Sequence, residues 1–290
     1  MERPTIGRSR FSELMVLAAL AGAWGCSSNE SRTSEGTEGT EGEATSHEGH
    51  ERAKSGEGEA APPPEPTKNV DPPPAANGTG TIHGKVAFTG TRPTPTPLER
   101  DQDPFCGRTP MNDEQVVVND NATLRNAIVH LTRGVSGNYP PPPAHVGVEQ
   151  HDCMYRPRAQ AMVAGQTLEV KNGDQTLHNV HTYQGTETLF NRAQIAGAPA
   201  IEREITDYEG IISLKCDVHG WMAGWIMVLN HPFFSTTGED GTFTIENVPV
   251  GTYTIESWHE KLGRKTAEVT VTRDGTAEVD LSYAGTESGT

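Results

Sequence analysis

Gly210-Ile211-Ile212-Ser213-Leu214-Lys215-Cys216-Asp217-Val218-His219-Gly220-Trp221-Met222 is the stretch from which both the fold and the chemistry of this chain are read. Its first half has strand character. Ile212, Leu214 and Cys216 share one face because strand side chains alternate with period two, so the sulfur points inward. In its second half a thiolate, an imidazole and a thioether follow one another within seven residues of a single loop. A second source of donors stands upstream, where His178-Asn179-Val180-His181 follows the strand-like run 167–172. Two imidazoles, one thiolate and a weak thioether form the donor set that holds copper in electron-transfer sites. A cysteine near a strand end is more often a packing residue, and a Trp-Met pair more often core. Three donors at ligand spacing plus a His-bearing turn elsewhere weigh against that bland reading. Zinc accepts the same Cys and His donors, but thioether is not among its ordinary ligands. His181 stays open as a replacement for His178, although three residues further on in an extended segment it faces the other way.

Outward from this loop the chain reads as short strands separated by turns. Ile82, Gly84, Val86 and Phe88 alternate with their neighbours, as do Leu168 and Val170, Phe243 and Ile245, Tyr253 and Ile255, and Val269 and Val271. Asn172-Gly173-Asp174, Asp240-Gly241 and Asp274-Gly275 fall between these runs, where loops need residues tolerant of positive φ. Helical periodicity is nearly absent, so the expected class is all-β, with sandwich architecture. The 31 glycines and 21 prolines exceed the usual share, so a good part of the 290 residues is not packed interior. A formal charge of −16 disfavours an electrostatic grip on nucleic acid or anionic lipid. No apolar run reaches the roughly 18 residues that a membrane span needs.

The Cys-x2-His-x2-Met spacing and the upstream His178-Asn179 turn resemble the cupredoxins, most closely those of amicyanin and plastocyanin type. The resemblance covers roughly residues 144–229. It implies a Greek-key sandwich holding one type 1 copper, with His178 as first imidazole ligand, Cys216 as thiolate, His219 as second imidazole and Met222 as long axial ligand. By the same likeness Asn179 braces the ligand loop by hydrogen bonding. His219, mid-loop, is expected to reach the surface as the point of electron entry, with Trp221, Trp225 and Met222 as an apolar apron for brief docking with a redox partner.

Residues 239–255, Glu-Asp-Gly-Thr-Phe-Thr-Ile-Glu-Asn-Val-Pro-Val-Gly-Thr-Tyr-Thr-Ile, resemble the carboxypeptidase regulatory-like domains, small transthyretin-type β-sandwiches. Pro249 and Gly251 are expected to enforce a tight reversal between two strands. The resemblance begins mid-domain, and the missing strands have counterparts at 82–86 and 126–131. The expected organisation is therefore a discontinuous sandwich, residues 80–136 and 231–284, interrupted by a copper domain at 137–230 and crossed at proline-bearing links. The alternative, one copper domain from Thr81 to Leu229 followed by a half-size sandwich, leaves the terminal residues little core of their own.

Residues 1–26 have a basic start (Arg3, Arg8, Arg10), an apolar stretch from Leu14 to Ala23 and small residues before Cys26, as a secretory leader is built. Two cleavage sites stay open: an ordinary one at Ala21-Gly22-Ala23, and one before Cys26 that resembles the lipobox of bacterial lipoproteins, with Ala23 where leucine is usual, and implies lipidation of Cys26. Residues 27–79, rich in Gly, Glu, Ser, Thr and Pro, cannot bury enough surface to order themselves and are expected to be a disordered linker. In an exported chain Cys106 and Cys153 are expected to form a disulfide. The alternative is a second metal site of His151, Asp152 and Cys153. Trp258-His259-Glu260 is read as packing, since no nucleophile accompanies it. No metalloprotease helix motif or Gly-x-Ser-x-Gly elbow is present. The expected function is that of an exported, membrane-tethered carrier, periplasmic or on the outer membrane. It would pass single electrons to or from a c-type cytochrome or another copper protein and would not act as an enzyme. The alternatives are a red-copper enzyme or sensor with an open coordination position, and a non-redox surface module with a structural metal.

Overall fold

The computed structural model describes residues 78–206 and 209–285. The segments expected to be a leader with Cys26 and a linker lie, up to residue 77, outside the described residues, and Thr79 already opens the first strand. In chain order the strands are β1 (Thr79–Phe88), β2 (Ile128–Arg133), β3 (Val146–His151), β4 (Met154–Arg156), β5 (Ala159–Val163), β6 (Thr167–Asn172), β7 (His178–Gln184), β8 (Glu187–Gln194) and β9 (Ile201–Glu204). They continue with β10 (Gly210–Lys215), β11 (Ala223–Leu229), β12 (Phe234–Thr236), β13 (Thr242–Pro249), β14 (Gly251–His259), β15 (Gly263–Val271), β16 (Thr276–Glu278) and β17 (Leu281–Tyr283). One 3₁₀ turn, Cys106–Arg108, is the sole helical element among the described residues, and the fold is all-β.

Two sandwiches result, each from a pair of sheets. In the first, β1 lies between antiparallel β13 on one side and parallel β16 and β17 on the other, while β12, β2, β14 and β15 form the facing sheet. Their inward residues make one core to which both ends of the described chain contribute: Ile82, Val86 and Val129 with Phe243, Ile255 and Val269. Gly84 marks the tightest crossing, because a Cβ there would sit 1.8 Å from the carbonyl oxygen of Val279. Pro249 and Gly251 do not close a hairpin. They end β13 and begin β14, which lie in different sheets, so this turn is the corner at which the chain crosses the sandwich. Apolar residues alternate on both strands and demand a common core, and that core is reached only if the chain changes sheets.

The second sandwich pairs the sheet β5-β11-β10-β7-β8 with the sheet β4-β3-β6-β9. Its core includes Tyr155, Leu168, Val170, Val180, Ile212 and Leu214, and it runs into Cys216 and Met222 at one end. A smaller cluster joins the two sandwiches: Ile128 of β2 meets Ala159, Ala161 and Met227, with Trp225 and Trp258 packed edge to face at 5.6 Å. Arg158 and Glu260 form an ion pair across this junction, with side chains only 4% and 7% exposed.

Candidate metal centre

β10 carries its alternating isoleucine and leucine side chains into the core, and the chain leaves it at Lys215 with Cys216 still facing inward, 4% exposed. β7 is its antiparallel neighbour, with His181 opposite Lys215. Continuing that register brings the loop after Cys216 alongside His178 and Asn179. Two contacts secure it: the Asp217 N–H donates to Asn179 Oδ1 (2.6 Å), and Asn179 Nδ2 donates to Asp217 Oδ2 (2.8 Å). From behind, the buried hydroxyl of Tyr155 lies 2.7 Å from Asn179 O and 3.0 Å from Lys215 O, pinning both ligand-bearing strands where they end.

His178, Cys216 and His219 converge. Their nearest donor atoms lie within 4.8 Å of one another, all three residues are buried, and the two Nδ1 atoms are 2.9 Å apart with Cys216 Sγ 3.8 Å from His219 Nδ1. Both imidazoles present Nδ1 inward and turn Nε2 to a carboxylate. His178 Nε2 donates to Asp174 Oδ2 (2.8 Å), and His219 Nε2 donates to Asp103 Oδ2 (3.0 Å). That leaves both Nδ1 atoms and the sulfur facing one point, the orientation that a pair of ligating histidines needs once a metal displaces the proton they share with the sulfur. Met222 is 1% exposed in the same core cluster and is fixed to the loop by its N–H to His219 O (2.9 Å).

His219 does not reach the surface. It is 2% exposed, because the segment between β1 and β2 folds over its outer edge. Besides Asp103, that segment brings Cys106, whose Sγ lies 3.7 Å from His219 Nε2 and which is disulfide-bonded to Cys153. Of the residues expected to form an apolar apron, Met222 is buried and Trp225 packs on Trp258 at the junction between sandwiches. Trp221 alone stands beside the site, its ring 5.0 Å from that of His219 and its Nε1–H donating to Cys153 O.

The electrostatics follow from these partners. Burial would raise the Cys216 thiol, but hydrogen bonds from His178 and from the backbone N–H groups of Asn179, His219 and Val218 outweigh it and hold the thiol below its ordinary value. Burial opposes the charged form of His178 as well, yet Asp174 and Cys216 bring it net above its usual range. For His219 burial prevails over Asp103, assisted by the charge of His178, and holds the ring below its ordinary value. Burial works against the Asp103 carboxylate, but Thr176, the Phe105 and Cys106 N–H groups and His219 carry it down to about 2. Asp174, held by His178 and by the Cys153 and Asp152 N–H groups despite burial, is also depressed.

The other candidates fall elsewhere. His181 faces outward, paired with Asp217 at 3.0 Å and Thr188 at 2.9 Å. His151 is exposed near Asp152, while Cys153 is spent in the disulfide. His259 is buried and Glu260 belongs to Arg158. Asp174, Asp103 and Tyr155 were not anticipated as parts of the site. Asp174 stands four residues before His178 in a turn whose Asn172 side chain accepts its N–H, a signal that read only as a turn. Asp103, 116 residues from His219, carries no local signal at all.

A family model described as polysaccharide lyase family 4, domain II, matches residues 206–279, from the end of the second sandwich into the first. The resemblance of 239–255 to carboxypeptidase regulatory-like domains is thus replaced by a match of different description. No curated protein matches. Among solved structures, the novel purple cupredoxin from Nitrosopumilus maritimus is similar at 20% identity, covering 29% of this chain and 98% of that one with a TM-score of 0.26. A reduced tryptophan-to-tyrosine mutant of amicyanin matches at 22% identity over 29% of this chain and 82% of its own, TM-score 0.27. The copper-containing nitrite reductase from Thermus scotoductus SA-01 matches at 21% identity over 34% and 25%, TM-score 0.27. No helix among the described residues is long and apolar enough to cross a membrane.

Proposed function

We propose that this chain is a type 1 copper protein that carries single electrons, in which His178, Cys216, His219 and Met222 would hold the ion. The observation that carries the reading is the convergence of two Nδ1 atoms and one sulfur in a buried pocket, with both Nε2 atoms already committed to carboxylates. The chemistry supplied by copper held there is a one-electron couple, for which a mixed nitrogen and sulfur donor set suits both oxidation states. The chain's residues do the rest. Asp174 and Asp103 fix the ring orientations, Asn179 braces the ligand loop, and Leu214, Val180 and Trp221 exclude water.

The copper domain, 137–230, is inserted in the sandwich of 80–136 and 231–284, which serves as scaffold; Val86 and Val129 sharing a core with Phe243 and Ile255 supports this division. Residues 1–26 export the chain, Cys26 tethers it to the membrane by lipid, and a c-type cytochrome or another copper protein is the partner.

One spectrum tests the reading. The Cu(II)-loaded protein is expected to be intensely blue from sulfur-to-copper charge transfer and to bleach on reduction, with Cys216→Ser colourless. A copper-loaded sample without that band rejects it. A second reading has its own support, because a site whose protein donors are all buried and whose outer nitrogens are both satisfied also suits a structural metal. In that case zinc binds and stabilises the fold, and no redox couple is measured.

A further inference from the structure

The loop between β1 and β2 is fastened over the metal centre in a way that electron transfer does not require. Its inner side carries Asp103, which accepts hydrogen bonds from His219 Nε2 (3.0 Å) and Thr176 Oγ1 (2.8 Å). Next to it Phe105 packs on the core that contains Cys216 and Met222, and Cys106 is bonded to Cys153. The Cys153 N–H in turn donates to Asp174, the carboxylate behind His178, so one covalent link ties together the backing of both imidazoles. Arg100, 3% exposed, donates to Thr109 O across the loop and to Asp152 O in the β3–β4 turn. The outer side is solvent: Asp101, Gln102, Pro104, Gly107 and Arg108 are exposed, so the loop is one chain thick over His219. Beneath it the donor residues His178, Cys216, His219 and Met222 are 0, 4, 2 and 1% exposed.

We infer that residues 100–109 form a disulfide-fastened clasp that shuts the centre after its metal has entered and thereafter blocks metal exchange. The inference rests on the metal-binding reading above and concerns access to that same site. A hydrated ion has no path to two ring nitrogens and a sulfur at this exposure unless the loop swings away, and the Cys106–Cys153 bond prevents the swing. Both sulfurs are themselves buried, at 1% and 0% exposure, so a reductant does not reach them while the loop is down. Closure is thiol–disulfide exchange. The Cys106 and Cys153 thiols give two electrons and two protons to a disulfide-donating oxidant, which leaves as a dithiol, while the protein gains one S–S bond. Loading therefore precedes oxidation in the order of assembly.

The test begins without metal. In a Cys26→Ser background, Cys216 of the metal-free, oxidised protein is alkylated with iodoacetamide and followed by mass spectrometry, alongside Cys106→Ser/Cys153→Ser. The clasp predicts at least a tenfold faster reaction in the double variant, with near-ultraviolet circular dichroism confirming that it is folded; equal rates overturn the proposal. Asp103→Ala, which keeps the disulfide and removes two latching hydrogen bonds, is expected to react at least threefold faster than the parent. Should the double variant not fold, the absence of any rise in Asp103→Ala overturns the clasp. Cu(II) is then added to each. Slow uptake by the oxidised parent and fast uptake by the double variant extend the clasp to metal loading, whereas equal uptake rates reject it. A double variant that opens to iodoacetamide yet takes up no copper removes the metal reading and leaves the clasp in place.

Discussion

Asp174 and Asp103 are the residues on which the geometry of the two imidazoles depends, since each takes the Nε2 proton of one ring and thereby aims Nδ1 inward. Replacing either by asparagine keeps the volume but weakens the acceptor and permits the amide to flip. The expected cost is about 10–100-fold in copper affinity for each variant, as is usual for partners of ligating histidines. Competition with a chelator of known affinity measures it; an unchanged constant would mean that the rings are positioned by packing alone. At this scale the sequence was legible where donors are close along the chain. Cys216, His219 and Met222 share seven residues, and period-two alternation points the sulfur inward. Asp103 and the burial of His219 were not legible, because they arise from a contact across 116 residues.

At the scale of elements, the junction between the sandwiches sets one buried ion pair beside an apolar cluster. Arg158 precedes β5 and Glu260 follows β14, and neither side chain has solvent to fall back on. Glu260→Ala strands a buried guanidinium and is expected to cost about 3–5 kcal/mol, whereas Arg158→Met/Glu260→Leu recovers most of that loss. Chemical denaturation of the three proteins separates these outcomes, and a double variant no more stable than Glu260→Ala would show that the pair is worth more than apolar packing. A second element-scale expectation concerns β1. Gly84 lies against the Val279 carbonyl and the Phe243 ring, so Gly84→Ala forces the segment before β17 away and should destabilise by about 3 kcal/mol. The strands themselves were readable from alternation, and β1, β10 and β13 fall where it puts them. The corner at Pro249 was not, since a Pro-x-Gly turn has the same local chemistry whether the next strand pairs with the last or crosses to the facing sheet.

For the whole molecule, two buried histidines outside the cluster of His178, Cys216 and His219 limit stability in acid. His231 and His259 are 4% and 2% exposed, and burial takes each from its ordinary 6.5 to about 4, aided by the positive charge of Arg158 near His259 and opposed by the Leu131 carbonyl at His231. A base with a depressed folded value binds its proton more readily when unfolded. Its stabilisation is therefore complete above pH 6.5 and is lost as pH falls toward 4, at roughly 3 kcal/mol for each histidine. Urea denaturation of the metal-free protein at several pH values should show stability falling through that window, and His231→Gln should flatten the curve; a flat wild-type profile contradicts the assignment. Alternating apolar residues, turn chemistry and a short run of soft donors were enough, in the sequence alone, to give an all-β chain and to pick out His178, Cys216 and His219, whose donor atoms the fold brings together, because these signals act between neighbours. Tertiary structure alone decided that the chain crosses between sheets at Pro249, that His219 is covered rather than exposed, and that carboxylates back both rings. Those facts depend on which distant segments lie together once the whole core is buried, and no local pattern encodes such a meeting.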